Sequence, residues 1–268
     1  VSWQVSSGGP PPSSPRLAGF AARLEQARVQ REPIANLAAE SLTWSDAYAV
    51  QGLLRDGREQ AGDAVCGHKI AITSPARLQA MGLDAPLCGF LCESGAVDDG
   101  VVPIHELIAP RIEPEIAFVM KRPLSGERCT VLQVLAATDF VAGAFEIIDS
   151  RYVKAPFDPL SAVADNVSSA RHVVGGVIRR PHDLDLSLIG MAVAKNAQFV
   201  ATGTSAAIFG HPAASVAALV RVLSRQGRRL DAGSVVLTGG LVEAFNVAAG
   251  DIVSARFAGL GEVSVRFG

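Results

Sequence analysis

The sequence predicts an α+β protein in which a short helical region precedes a sheet-dominated core. Two observations carry that class. Residues 16–62 place apolar side chains at three- and four-residue spacing, the signature of helices with one buried face. Beyond Asp63 the texture changes to short β-rich runs separated by Gly and Pro, without the regular alternation of strand and helix that βαβ repeats require. With 268 residues, 49% of them hydrophobic, the chain can bury one large core or a core with a small appendage.

In chain order, residues 1–15 are rich in Ser, Gly and Pro with little to bury, and are expected to form a disordered leader without function. From Arg16 the stripe Leu17, Phe20, Leu24 and Ala27 predicts a first helix that Pro33 stops. Thr43 followed by Asp46 reads as a capping box opening a second helix, with Ala47, Val50 and Leu54 inward and Gly57 near its end. This pair, the cap of residues 16–62, is expected to serve as scaffold or oligomer contact. The β-rich catalytic domain of residues 63–268 then offers strands at 64–72, 101–103, 111–120 and 140–148. Gly210-His211-Pro212 opens a third helix with Val216, Leu219, Val220 and Leu223 as its stripe and Gly227 at its end. Strands at 234–238, 251–257 and 262–267 close the chain, the last two as a hairpin. There is no internal repeat.

The strand at 111–120 organises the chemistry. Residues two apart on a strand face the same way, about 6.5 Å from each other, so Glu113 and Glu115 share a face while Ile112, Ile116 and Phe118 line the other. A third acid, Glu146, is the only charge in the run 141–148. Two readings fit. The acids could hold a hard divalent cation, which takes oxygen ligands; or Glu113 and Glu115 lie on a solvated edge marked by Pro114, with Glu146 paired to Arg111 or Arg151. Lys69, one of four lysines, sits among strand formers and reads as a functional ammonium or a snorkelling surface residue, while His68 reads as structural. The polar cluster 165–169 suggests an Asx-type turn. Thr238-Gly239-Gly240 brings backbone N–H groups close to whatever lies above them.

Several function classes are disfavoured. A net charge of -2 and a pI near 6.2 give no basic field for nucleic acid or anionic membrane. The arginine pairs at 179–180 and 228–229 read as loop charges. The cysteines 66, 88, 92 and 129 form no C-x-x-C pair, which indicates neither zinc nor a disulfide framework and suits a reducing cytoplasm. No apolar run is expected to reach the roughly 18 residues of a membrane span, and the N-terminal stretch has no signal-peptide pattern. No G-x-S-x-G elbow supports a Ser-His-Asp hydrolase.

Taken together, Gly67-His68-Lys69 with Thr73-Ser74, Gly82-Leu83-Asp84-Ala85-Pro86 with Gly89, the run 110–118, Glu146 with Asp149-Ser150-Arg151, and Ala164-Asp165-Asn166 resemble the hydratase/decarboxylase family. This is the family of 2-keto-4-pentenoate hydratase and 4-oxalocrotonate decarboxylase, related to the fumarylacetoacetate hydrolase fold. The resemblance runs from about Leu42 to the C-terminus. Asp149-Ser150-Arg151-Tyr152, Phe157-Asp158, residues 162–166, residues 210–216 and Thr238-Gly239-Gly240 are similar to its decarboxylase branch. Ala71, Val167 and Lys154-Ala155-Pro156 depart from the pattern and bear on the exact substrate.

The resemblance implies a mixed, strongly curved sheet with a helical cap, in a homo-oligomer. It implies Mg²⁺ or Mn²⁺ on Glu113, Glu115 and Glu146. Lys69, Asp84 and Ser168 would be catalytic, and Thr73, Ser74, Thr238 and Gly239 would bind substrate. The implied reaction is decarboxylation of 2-oxo-3-hexenedioate to 2-hydroxypenta-2,4-dienoate in meta-cleavage aromatic catabolism. The alternatives are hydration of that dienoate to 4-hydroxy-2-oxopentanoate, or a subunit whose main role is to bind a paralogous hydratase.

Overall fold

The computed structural model describes residues 14–98, 100–154 and 156–268, so most of the expected leader lies outside the described residues. Helix α1 (Pro15–Gln30) starts one residue before the apolar stripe suggests, because Ser14 accepts the Leu17 N–H and Pro15 suits a first turn. It ends at Arg31, in the left-handed region, ahead of Pro33. Helix α2 (Trp44–Gln60) carries the reciprocal Thr43/Asp46 capping box.

Strand β1 (Val65–Ala71), helix α3 (Pro75–Ala80), strands β2 (Leu87–Cys92), β3 (Val101–Val102) and β4 (Arg111–Met120), and helix α4 (Val131–Ala137) follow. Strand β5 (Thr138–Ile148), helix α5 (Pro159–Ala164), strands β6 (Ser169–Val174), β7 (Gly190–Lys195) and β8 (Gln198–Thr204), and helix α6 (Pro212–Arg225) come next. The chain closes with β9 (Val235–Leu237), β10 (Phe245–Asn246), β11 (Ile252–Phe257) and β12 (Gly261–Phe267), the last two forming the expected hairpin.

The larger sheet runs β2-β1-β9-β4-β5-β6 with β10 also beside β4, and the smaller runs β3-β12-β11-β7-β8. Both are mixed: β1 with β9 and β12 with β3 are parallel, the other pairs antiparallel. The larger sheet curls until the segment after β2 meets β6, where the Val97 N–H donates to the His172 carbonyl at 2.9 Å. One face of β4, with Ile112, Ile116, Phe118 and Met120, packs into the main core with the smaller sheet and α6. The sheets approach closely: a Cβ on Gly143 would sit 2.5 Å from the Phe257 ring. Phe118 is fully buried there, and its truncation to Ala is expected to cost about 3–5 kcal/mol.

Two expectations need correction. Residues 205–225 are long and apolar enough to cross a membrane by length and composition. Their stripe of Val216, Leu219, Val220 and Leu223 is instead buried in the main core, and a core helix needs the same apolar residues as a span. Strand β4 is not an edge, because β5 flanks one side and β9 and β10 flank the other. Pro114 is tolerated because its carbonyl accepts from the Leu241 N–H at 3.0 Å, so its missing N–H faces the gap between β9 and β10. A second apolar cluster joins α1, α2 and α5 with Leu83, Leu87 and Val167, which seats the helical region against the end of β2.

Candidate metal centre

The β4–β5 register sets Glu113 opposite Glu146, and Glu115 follows two residues along the same face. One carboxylate oxygen from each of the three lies within 4.8 Å of the others. Glu115 and Glu146 are fully buried and Glu113 is half-buried. Lys69, 2% exposed, reaches the cluster from β1, with Nζ 3.0 Å from Glu146 Oε2 and donating to the Val167 carbonyl at 3.1 Å. Neither proposed arginine partner serves Glu146: Arg111 is exposed and Arg151 binds Asp165.

Burial, together with the charges of the other two glutamates, raises the pKa of Glu115 well above the ordinary carboxylate range. Burial pushes Glu146 up to about 7 against the opposing pull of Lys69. For Lys69, burial alone would lower the pKa, but the three carboxylates outweigh it and raise it. Glu115 Oε2 accepts the Gly239 N–H at 2.7 Å. Glu115 Oε1 and Glu146 Oε1 receive no hydrogen bond, and the Lys69 ammonium at Oε2 is the one close cation on Glu146. Buried acceptors left open in this way lose their hydration without compensation. Hard oxygen donors, excess negative charge and open lone pairs together fit a divalent cation such as Mg²⁺ or Mn²⁺.

The loop after β9 covers these acids closely. A Cβ on Gly240 would lie 3.0 Å from Glu113 Oε2, and one on Gly239, whose φ is +109°, would lie 2.4 Å from Thr73 Oγ1. Thr73 and Gly239 are therefore neighbours of the site. Thr238 is buried, but its hydroxyl donates to the Ile116 carbonyl at 2.8 Å, which braces β4. Ser74 stands at the start of α3 without capping it. Asp84 is exposed in the turn between α3 and β2, and no described contact joins it to the glutamates. Ser168 Oγ lies 3.4 Å from Asp165 Oδ2. His68, with Nδ1 3.2 Å from the Gly89 carbonyl, is structural as expected, and burial pushes its pKa down to about 4.

The polar cluster at 165–169 does more than form a turn. Asn166, Val167 and Ser168 have φ of 50°, 51° and 59°, three successive left-handed residues without a glycine. Such backbone costs about 1–3 kcal/mol per residue, most for β-branched Val. Asn166 offsets it by accepting the Phe90 N–H at 2.8 Å and donating to the Phe90 carbonyl at 2.9 Å. Arg151 ties Asp165 on one side, and the Asp149 N–H donates to the Ser168 carbonyl at 2.7 Å. From α2, Gln51 donates to the Cys88 and Val163 carbonyls at 2.9 and 3.0 Å. Sequence reasoning assigned no role to Gln51 and read Asn166 only as part of an Asx-type turn; the available signal for Gln51 was an amide on an otherwise apolar helix face. A separate cavity of about 590 Å³, lined by Arg28, Arg58, Arg151 and Arg171, includes none of the three glutamates or Lys69.

Residues 83–267 match the profile of the fumarylacetoacetate (FAA) hydrolase C-terminal family. The chain belongs to that family. Within it, the chain is 47% identical over 227 residues to a 4-oxalocrotonate decarboxylase of Pseudomonas sp. strain CF600, covering 84% of this chain and 86% of the relative. It is 37% identical over 247 residues to a 2-keto-4-pentenoate hydratase of Paraburkholderia xenovorans strain LB400, covering 91% and 92%. Among solved structures it resembles the 4-oxalocrotonate decarboxylase from Pseudomonas putida G7 complexed with magnesium and adipate. That likeness has a TM-score of 0.91 at 40% identity, over 94% of this chain and 97% of that one. The mixed helix and curled sheet described above is the fold of this FAA hydrolase family.

Proposed function

We propose that this chain is a divalent-cation-dependent lyase that decarboxylates 2-oxo-3-hexenedioate (4-oxalocrotonate) to 2-hydroxypenta-2,4-dienoate. The observation that carries the reading is the glutamate trio with Glu115 Oε1 and Glu146 Oε1 buried and left open, in a chain more similar to decarboxylases than to hydratases. Glu113, Glu115 and Glu146 would hold Mg²⁺ or Mn²⁺, which supplies Lewis-acid stabilisation of negative charge on the 2-oxo oxygen.

In the reaction the C5–C6 bond breaks and its electron pair forms the C4–C5 double bond. The former C3–C4 double bond shifts to C2–C3, and charge collects on the 2-oxygen as carbon dioxide leaves. A proton on that oxygen completes the product. Lys69 is assigned to hold the oxo-acid end and donate to the enolate oxygen, a task suited to an ammonium that stays charged while buried. Ser168 is assigned to hydrogen-bond the substrate and Asp84 to position Lys69 or a water. Thr73, Ser74, Thr238 and Gly239 are assigned to the substrate pocket. The Gly239 N–H fixes Glu115, and Gly240 lies close against Glu113.

The same proposal includes a cytoplasmic homo-oligomer acting in meta-cleavage aromatic catabolism, with a possible paralogous hydratase partner, which sedimentation with and without that partner tests. The deciding assay incubates the purified chain with 2-oxo-3-hexenedioate, with and without Mg²⁺, and measures released carbon dioxide. Release that depends on Mg²⁺ is expected. No release, with decay of the ultraviolet band of supplied 2-hydroxypenta-2,4-dienoate, would make the chain a hydratase instead.

A further inference from the structure

Lys69 has three N–H donors, and the described contacts give its ammonium two acceptors, Glu146 Oε2 and the Val167 carbonyl. The two differ in kind. Glu146 is a candidate cation ligand, and a carboxylate committed to a cation no longer directs the ammonium. The Val167 carbonyl is backbone, so it stays an acceptor whatever the carboxylates do. It reaches Lys69 because residues 166–168 take the left-handed conformation, which Val disfavours.

The fold over-determines this turn from β2. The Asn166 side chain accepts from Phe90 N–H and donates to the Phe90 carbonyl, both buried, as a neighbouring strand would. Gly89 supplies the clearance, since a Cβ there would lie 2.8 Å from the Asn166 carbonyl oxygen, 2.9 Å from its Oδ1 and 3.2 Å from Lys69 Cδ. From α2, Gln51 ties β2 to the end of α5, just ahead of the turn.

We propose that the left-handed turn Asn166–Ser168 is a positioning device for Lys69, with Asn166 as the positioning residue that acts through the Val167 carbonyl. The device leaves one ammonium N–H uncommitted for the bound oxo acid. It rests on the decarboxylase reading for its catalytic consequence and on geometry alone for the placement of Lys69.

The test compares the full chain with Asn166→Ala, Lys69→Met and the double variant, using protein labelled with ¹³C at the lysine ε-carbon. The four lysines give four signals, of which Lys69→Met removes one. The Lys69 methylene protons are expected to be inequivalent in the parent and averaged in Asn166→Ala. For Asn166→Ala the kcat is expected to fall about 100-fold, the loss typical of a misplaced reacting group, with Mg²⁺ affinity within about twofold of the parent. Added to Lys69→Met, Asn166→Ala should cause no further loss, because the two residues act as one unit. Additive losses, or unchanged Lys69 signals in Asn166→Ala, would overturn the proposal. If Asn166→Ala does not fold, Asn166→Asp takes its place, since it keeps the acceptor for Phe90 N–H and lacks the donor. A parent that binds Mg²⁺ and releases no carbon dioxide would sink the decarboxylase reading, while the methylene signals would still decide whether Asn166 places Lys69.

Discussion

Glu146 and Asp165 are both fully buried carboxylates with a cation beside them, and burial raises the pKa of both, to about 7 and about 6. They differ in how their oxygens are used. Asp165 receives the Arg151 guanidinium and the Arg151 backbone N–H, and Arg151 also donates to the Asp149 and Ser169 carbonyls at 2.7 and 3.1 Å. Glu146 has one ammonium, 3.0 Å from Oε2, and nothing donating to Oε1. A structural ion pair saturates its acceptors, whereas a site suited to a cation keeps lone pairs available. Titration behaviour alone would not separate the two.

Substitutions can break this contrast, and Glu113→Gln or Glu115→Gln should do most. Turnover is expected to fall about 1000-fold or more, the scale of several kcal/mol of lost charge stabilisation. Calorimetry should show Mg²⁺ binding lost, and circular dichroism an unchanged fold. Arg151→Met should leave Mg²⁺ binding in place but destabilise the chain by about 3–5 kcal/mol, because Asp165 stays buried and uncompensated; denaturant unfolding measures it. Mg²⁺ at 100 times its dissociation constant should stabilise the parent by about 2.7 kcal/mol and leave the melting temperature of Glu115→Gln unmoved.

The smallest effect concerns pH. With metal removed, the raised pKa values mean that the folded chain binds more protons at Glu115 and Glu146 than the unfolded chain does. Their contribution to stability is therefore fully present below an unfolded pKa of about 4.3 and is lost as pH rises through the folded value, about 7 for Glu146. Thermal melts in EDTA should show Glu146→Gln gaining on the parent from pH 5 to pH 8. Mg²⁺ affinity should run the other way, weakening as pH falls below about 7, because the ligands must first shed their protons.

Much of the site was legible because strand periodicity is short-range. The two-residue repeat placed Glu113 and Glu115 on one face, and Glu146 stood out as a lone charge in an apolar run. Helix ends were legible from Thr43/Asp46 and from Pro212. Long-range features were not. The Lys69–Glu146 pair needs the strand order β1-β9-β4-β5, which local pattern does not encode. The left-handed turn was hidden because Asn166, Val167 and Ser168 lack the glycine that usually marks one, and because the partner of Asn166 is Phe90, 76 residues away. Strands β7 and β8 were missed because β8 is largely exposed and so lacks the alternation that reveals a half-buried strand.

Pro114 has a consequence for how the acids are reached. By denying the sheet one amide at the middle of β4, it prevents residues 238–244 from zipping on as a continuous strand between β9 and β10. That stretch must arch instead, and the arch is where Gly239 and Gly240 meet the glutamates. A residue that normally ends a sheet here folds the chain over the acids in its interior.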